Sequence, residues 1–260
     1  LAVALAAAGA AATAQDFDFK GVSSSKVKSL KEKTSRMARF APANFLFKSS
    51  GKAFACPFDE DVPADIQKQI KEDMAFIGTV KGSAASQLHQ KIFGAIDGPS
   101  YQKFFGTRVK AIGMDDCGSS NAVACVIPYA SPSKMWLTQN YIKFSHPQIA
   151  RLMVVFHESR HTETANGFWS HARCPVPFVD ASGKPITSIW TGSSLAGEPA
   201  CDATPFGSYG SSMIMLKNIQ KFCTNCTDKV KMDAGIYADD QYKRITDAKA
   251  ALQIKNDLYK

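Results

Sequence analysis

The segment 145–163, SHPQIARLMVVFHESRHTE, constrains this chain more than any other. Ile149, Leu152, Met153 and Phe156 recur at helical spacing, so the segment reads as a helix with an apolar stripe. Ser145 or His146 can cap it, and Pro147 suits its first turn. Its C-terminal end carries His157, Glu158 and His161. The stripe has to be buried against other elements, whereas two imidazoles and a carboxylate are costly to bury without partners. The fold therefore has to bury this helix and give those polar side chains a partner.

The flanking sequence supplies the cover. From Val62 onward, Ile66, Ile70, Met74 and Ile77 repeat with helical period, and a shorter helix is expected over 84–93. The period then changes. Segments 107–112, 122–127 and 134–141 are short and β-rich, separated by Gly, Asp, Asn, Pro and Ser. In the third, Met135, Leu137 and Gln139 alternate with Trp136 and Thr138. Residues 167–206 read as loop, with a hairpin near 180–184, and helices return over 211–222 and from 228 to the end. The pattern predicts an α+β fold with a small, mostly antiparallel sheet and a helical C-terminal part, as a single domain over 56–260.

The ends of the chain bear on compartment. Residues 1–14 are an uncharged Ala/Leu/Val run closing in Ala12-Thr13-Ala14, the pattern of a signal peptide lacking its basic start. A secreted or periplasmic protein is expected, and no stretch of 18 apolar residues predicts a membrane span. The net charge of +8 is concentrated in one place: residues 16–52 hold nine Lys/Arg against three Asp/Glu. The segment 15–55 thus reads as a basic arm, either a solvated face or a weak contact for an anionic surface. The nearly neutral body argues against a nucleic-acid groove. In an exported chain the seven cysteines become disulfide candidates. Proximity suggests Cys117–Cys125, Cys174–Cys201 and Cys223–Cys226, leaving Cys56.

The chemistry centres on H-E-x-x-H. Residues four apart stack on one helical face, so His157 and His161 can share one metal ion. Glu158 is turned by about 100°, placing its carboxylate toward a water on that metal rather than the metal itself. This is the donor set of a Zn2+ hydrolase, with Glu158 as general base. His171 is the leading third ligand, because Gly167 lets the chain turn back over the helix end. Asp202 and Glu198 are the alternatives. If His171 is the ligand, Asp202 becomes its hydrogen-bond acceptor. Tyr209 either donates to an oxyanion or is an aromatic at the core edge. His89 and His146 receive no role.

These residues resemble the zincin metallopeptidases over about residues 105–220, with MWLTQNYI as the edge strand of the cleft and VVFHESRH as the active-site helix. The resemblance implies a zincin-like fold, zinc on His157 and His161, Glu158 as base, and a protein or cell-wall peptide as substrate. No branch fits: Thr164 and Gly167 stand where metzincins have Gly and His, and the second helix of gluzincins is missing. The segment ACDATPFGSYG loosely resembles the aspzincins through Asp202 and Tyr209-Gly210. Two other classes remain open. Glu158 followed by Gly207-Ser208-Tyr209-Gly210 resembles goose-type lysozymes and lytic transglycosylases, in which it would be a metal-free general acid. A non-catalytic exported binding protein with a zincin fold would share the same disulfides and arm.

Overall fold

Ile66, Ile70, Met74 and Ile77 are buried along the inner face of α1 (Ala64–Ile77), as their spacing predicts. The computed structural model describes residues 56–260, within one unit spanning Ser49–Lys260. The signal-like segment 1–14 and the basic arm 15–55 lie outside the described residues. The short helix α2 (Gln87–Ile92) is capped by Ser86, whose hydroxyl accepts from the His89 amide. His89, given no role above, is fully buried. Its Nδ1 donates to the Gly94 carbonyl at 3.0 Å and its Nε2 accepts from the Tyr101 hydroxyl at 2.8 Å. Helix α3 (Gly98–Arg108) follows, started by Asp97 accepting from the Ser100 amide and by a proline in its first turn. It absorbs Thr107, where a strand was expected; that hydroxyl bonds the Lys103 carbonyl at 2.8 Å.

The sheet has three strands, β1 (Ala111–Met114), β2 (Ala124–Val126) and β3 (Lys134–Leu137), in the order β1-β3-β2. β3 is parallel to β1, with Ile112 opposite Met135, and antiparallel to β2, with Cys125 opposite Trp136. The sheet is therefore mixed, not mostly antiparallel. The chain skips a place after β1, lays down β2 at the far side and returns to fill the centre, which fixes one pairing of each kind. The same topology corrects the strand assigned to the cleft. MWLTQNYI is central, which suits its buried Met135 and Leu137, and the free edge belongs to β2. The strand also ends at Leu137, because Thr138 caps the short helix α4 (Gln139–Lys143) through the Asn140 amide.

Helix α5 (Gln148–His161) is the expected long helix. Pro147 is its N-cap residue, and neither Ser145 nor His146 caps it by a side chain. Burial extends beyond the predicted stripe: from Ile149 to Arg160 only Arg151 is part-exposed. Phe156 packs among the rings of Phe93, Tyr101 and Phe104, 5.7–6.1 Å away. α5 also packs against β2 and against α6 (Ser208–Phe222), which in turn packs on α7 (Asp228–Tyr242) and α8 (Ala248–Leu258). The main apolar core thus encloses the helix from Ile149 to Arg160, with Arg151 alone part-exposed. The three disulfides join the pairs proximity suggested, and Cys56 carries a free thiol that burial pushes up to about 11. The hairpin is present, with Val179 opposite Pro185. Among the described residues no helix is long and apolar enough to cross a membrane.

Candidate metal centre

Three imidazoles converge beyond the end of α5. The helix supplies His157 and His161 from adjacent turns, and a connection folding back over it supplies His171. The Nε2 atoms of His157 and His161 are 3.2 Å apart, those of His157 and His171 3.2 Å, and those of His161 and His171 3.1 Å. Glu198 also lines the cleft but stands outside this cluster, and Asp202 sits behind it.

The fold-back has identifiable causes. After α5 the chain makes a tight 3₁₀ turn (Thr164–Trp169) in which Gly167, Phe168 and Trp169 all take positive φ. Two of these are bulky and strained in that region. Glu163 holds them there, accepting from Trp169 Nε1 at 2.6 Å, Asn166 Nδ2 at 2.9 Å, Arg160 Nη1 at 2.6 Å and Arg108 Nε at 2.7 Å. The turn aims the Phe168 carbonyl at His161 Nδ1, 2.8 Å away. Beyond it, Ala172 pairs with Cys201 as an antiparallel bridge, and the Cys174–Cys201 disulfide closes the same junction.

Asp202, next to that junction, serves two elements at once. Its Oδ1 accepts from His171 Nδ1 at 2.9 Å. Its Oδ2 accepts from the amides of Tyr209 at 2.8 Å and Gly210 at 3.1 Å, capping α6, whose own N-cap residue Gly207 has no side chain to do so. A Cβ at Gly207 would overlap the Asp202 carboxylate, so that glycine is required for close approach. Tyr209 stacks on His171 with ring centroids 4.5 Å apart and lies 4.4 Å from the His157 ring.

These bonds fix the protonation pattern. A carbonyl and a carboxylate only accept, so Nδ1 of His161 and of His171 carries the proton, and in the neutral ring each Nε2 presents a lone pair. Two acceptors therefore face one another at 3.1 Å, with His157 Nε2 at the same spacing. Burial first, and then the charge of the neighbouring imidazoles, lowers His157 well below the usual histidine range and His161 to about 3. Burial thus disfavours the charged form of His157 and His161, and the three-histidine set can hold a metal ion. Glu158 is buried beside it. Its Oε2 has no hydrogen-bond partner among the described residues, and burial pushes the carboxyl up to about 8.

The cluster forms the floor of a cleft of about 550 Å³. One wall is the free edge from Ala122 to Val126; the others include Met153, Trp190, Leu195 and Tyr209. Gln241 and Arg244, at and just beyond the end of α7, also reach it. The structure brings His157, His161 and His171 together with Glu158, Asp202 and Tyr209 around them, and adds Glu163, the Phe168 carbonyl, Trp190 and Arg244, which sequence reasoning did not name. Of these, only Glu163 had a local signal, as the first carboxylate beyond the helix.

The fold and site define an α+β protein with a three-histidine centre able to hold a metal ion, set in a cleft beside a free strand edge. Comparison with models of known protein families, with curated proteins and with solved structures finds no match.

Proposed function

We propose that the protein is an exported zinc peptidase of zincin type that hydrolyses peptide bonds in the cleft above His157, His161 and His171. The observation that carries this reading is the meeting of His161 Nε2 and His171 Nε2, which in the neutral rings face one another as lone pairs. Two buried acceptors at 3.1 Å repel unless a cation lies between them. Zinc suits the set because zinc–imidazole bonds are about 2.0–2.1 Å long, and nitrogens at this spacing would subtend about 100° there, near tetrahedral. Three protein ligands leave a fourth position open, as in catalytic rather than structural sites.

When bound, zinc would lower the pKa of water and polarise the scissile carbonyl. The chain's own residues would do the rest. Glu158, which lines the cleft and has an unpartnered oxygen, takes a proton from the attacking water in its ionised form, which a neighbouring cation would favour, and passes it to the leaving amine. Asp202 keeps His171 in the tautomer that binds metal, and the Phe168 carbonyl does the same for His161. Tyr209 flanks two ligands and lines the cleft, within reach of the charge that develops on the carbonyl oxygen. The free edge of β2 can add an extended peptide as a further strand. Three disulfides suit an extracellular site of action, on protein or on the peptide part of a cell wall.

Metal analysis of protein purified without a metal-binding tag tests the reading, with one zinc per chain expected. Full hydrolytic activity in metal-free protein would overturn it and favour the glycan-hydrolase alternative, which gives the facing lone pairs no purpose.

A further inference from the structure

The cleft contains a buried guanidinium that the proposed chemistry does not use. Arg244 is 5% exposed, and among the described residues lining the cleft it is the only Lys or Arg. Its backbone is fixed, the carbonyl accepting from the Asp202 amide at 2.8 Å and the amide donating to Gln241 O at 3.0 Å. Its side chain is only partly matched: it hydrogen-bonds the Tyr209 side chain and lies over that ring, but has no close carboxylate. Nε has no hydrogen-bond partner, and the nearest carboxylate oxygen, Asp240 Oδ2, is 3.8 Å from Nη2. Asp240 is itself engaged by Gln241 Nε2 at 3.0 Å. The other arginines of this unit that face the core are saturated. Arg151 grips Asp73 at 2.6 and 2.7 Å, and Arg160 bonds Glu163 and the Phe206 carbonyl. A guanidinium stays charged at any ordinary pH and carries five donors. Burying one without a close carboxylate is costly unless an anion completes the site.

We propose that Arg244 is the substrate-recognition residue of the cleft and binds a carboxylate carried by the peptide. The guanidinium carbon lies 4.5 Å from the Tyr209 ring centroid, and that ring lies 4.4 Å from the His157 ring and 4.5 Å from the His171 ring. One phenol ring therefore separates the cation from the metal centre. An extended peptide advances about 3.3–3.6 Å per residue, so the recognised carboxylate sits one or two residues from the scissile carbonyl. The carboxylate is either the C-terminus of a peptide or an Asp or Glu side chain. Trp190 and Leu195 give the same cleft an apolar wall that suits an apolar side chain of the peptide. This assignment rests on the peptidase reading for the word substrate, although the anion site itself does not.

Two measurements separate the assignment from that reading. The first needs neither metal nor turnover. Binding of N-acetylphenylalanine and of its amide is compared by calorimetry on chelator-treated protein whose fold is confirmed by thermal unfolding. The carboxylate should bind about 10- to 100-fold tighter, the worth of a charge-assisted contact. Arg244→Gln should erase the difference, and Arg244→Lys should keep part of it. Equal binding of the two probes by the wild type overturns the proposal, with no variant required. The second compares hydrolysis by zinc-loaded protein of peptides ending in carboxylate or carboxamide, and of peptides with internal Glu or Gln. A preference in the first pair identifies the C-terminus, and one in the second identifies a side chain. Hydrolysis without either preference overturns Arg244 and leaves the peptidase standing. Probe discrimination without hydrolysis of any peptide leaves the carboxylate site and removes the peptidase.

Discussion

Replacing Asp202 by Asn separates a ligand from the group that orients it. All three bonds to the Asp202 side chain come from donors: His171 Nδ1, and the amides of Tyr209 and Gly210. A carboxylate can accept all three, whereas an amide offers one oxygen and one NH2. If the oxygen stays with His171, the NH2 faces two backbone N–H groups, and the start of α6 loses its cap. If the amide flips, its NH2 faces His171 Nδ1, which must then give up its proton. The imidazole becomes the Nε2–H tautomer, and no lone pair remains for a metal. Either orientation damages one of the two elements that Asp202 joins. Loss of an orienting group of this kind costs about 10- to 100-fold in metal affinity, or about 1.4–2.7 kcal/mol. Loss of the cap costs about 1 kcal/mol of stability. Competition against a chromophoric zinc chelator at pH 7, paired with thermal unfolding, reads both. His171→Ala should weaken zinc binding more than Asp202→Asn, because it removes a donor outright. Wild-type affinity in a folded Asp202→Asn protein would refute the tautomer argument. Loss of the metal in Asp202→Asn but not in His171→Ala would make the aspartate the ligand, an aspzincin-like site.

Glu158→Gln should retain zinc and fold but lose nearly all hydrolysis, since an amide cannot take a proton from water; zinc lost together with activity would make Glu158 a ligand. Gly207→Ala should weaken zinc binding as Asp202→Asn does, because the added methyl occupies the carboxylate's place; unchanged affinity in the chelator assay would contradict this. Opening the Cys174–Cys201 bridge, which closes a 27-residue separation, removes about 3.5 kcal/mol of constraint on the unfolded chain. Zinc release should then precede loss of helical circular dichroism on heating, and simultaneous loss would argue against the bridge holding His171. For pH, burial lowers His89 from 6.5 to about 4 in the fold, so as pH falls the unfolded chain takes up the proton first. Stability from this group is complete above about pH 6.5 and falls by up to about 3 kcal/mol toward pH 4. His89→Gln should flatten that part of the profile in denaturant melts, and parallel profiles would refute it.

The residues legible in the sequence share one property: their geometry is fixed within a few turns of chain. The spacing of Ile66, Ile70, Met74 and Ile77 required a helix whatever lay against it, and α1 buries all four. His157 and His161 are likewise set by α5 alone. The sheet was less legible. Alternation in 134–137 gives a strand but not its neighbours, and a strand with its apolar residues buried is as consistent with the centre of a sheet as with an edge. Thr107 also illustrates the limit, since its β preference yielded to a helix that Asp97 and the following proline had already started.

The third histidine of the cluster is the exception, since it comes from a connection outside the helix, and that connection also explains what was missed. His171 could be proposed because Gly167 lets the chain turn back over the helix end, and the cysteines at 174 and 201 marked the closure that places it beside Asp202. No comparable mark tied residue 202 to residue 244. That link is made mainly of backbone hydrogen bonds, from the Asp202 amide to the Arg244 carbonyl and from the Thr246 amide to the Asp202 carbonyl. Backbone pairing leaves no signature in residue type, so Arg244 looked like any arginine near a helix end. The Phe168 carbonyl was hidden in the same way, being a main-chain group aimed by a strained turn that Glu163 holds from outside the cleft. The side chains able to hold the metal thus come from a legible helix and a marked loop. Their tautomers, and the cation beside them, depend on main-chain geometry that exists only once residues 163–169, 201–202 and 244–246 have come together.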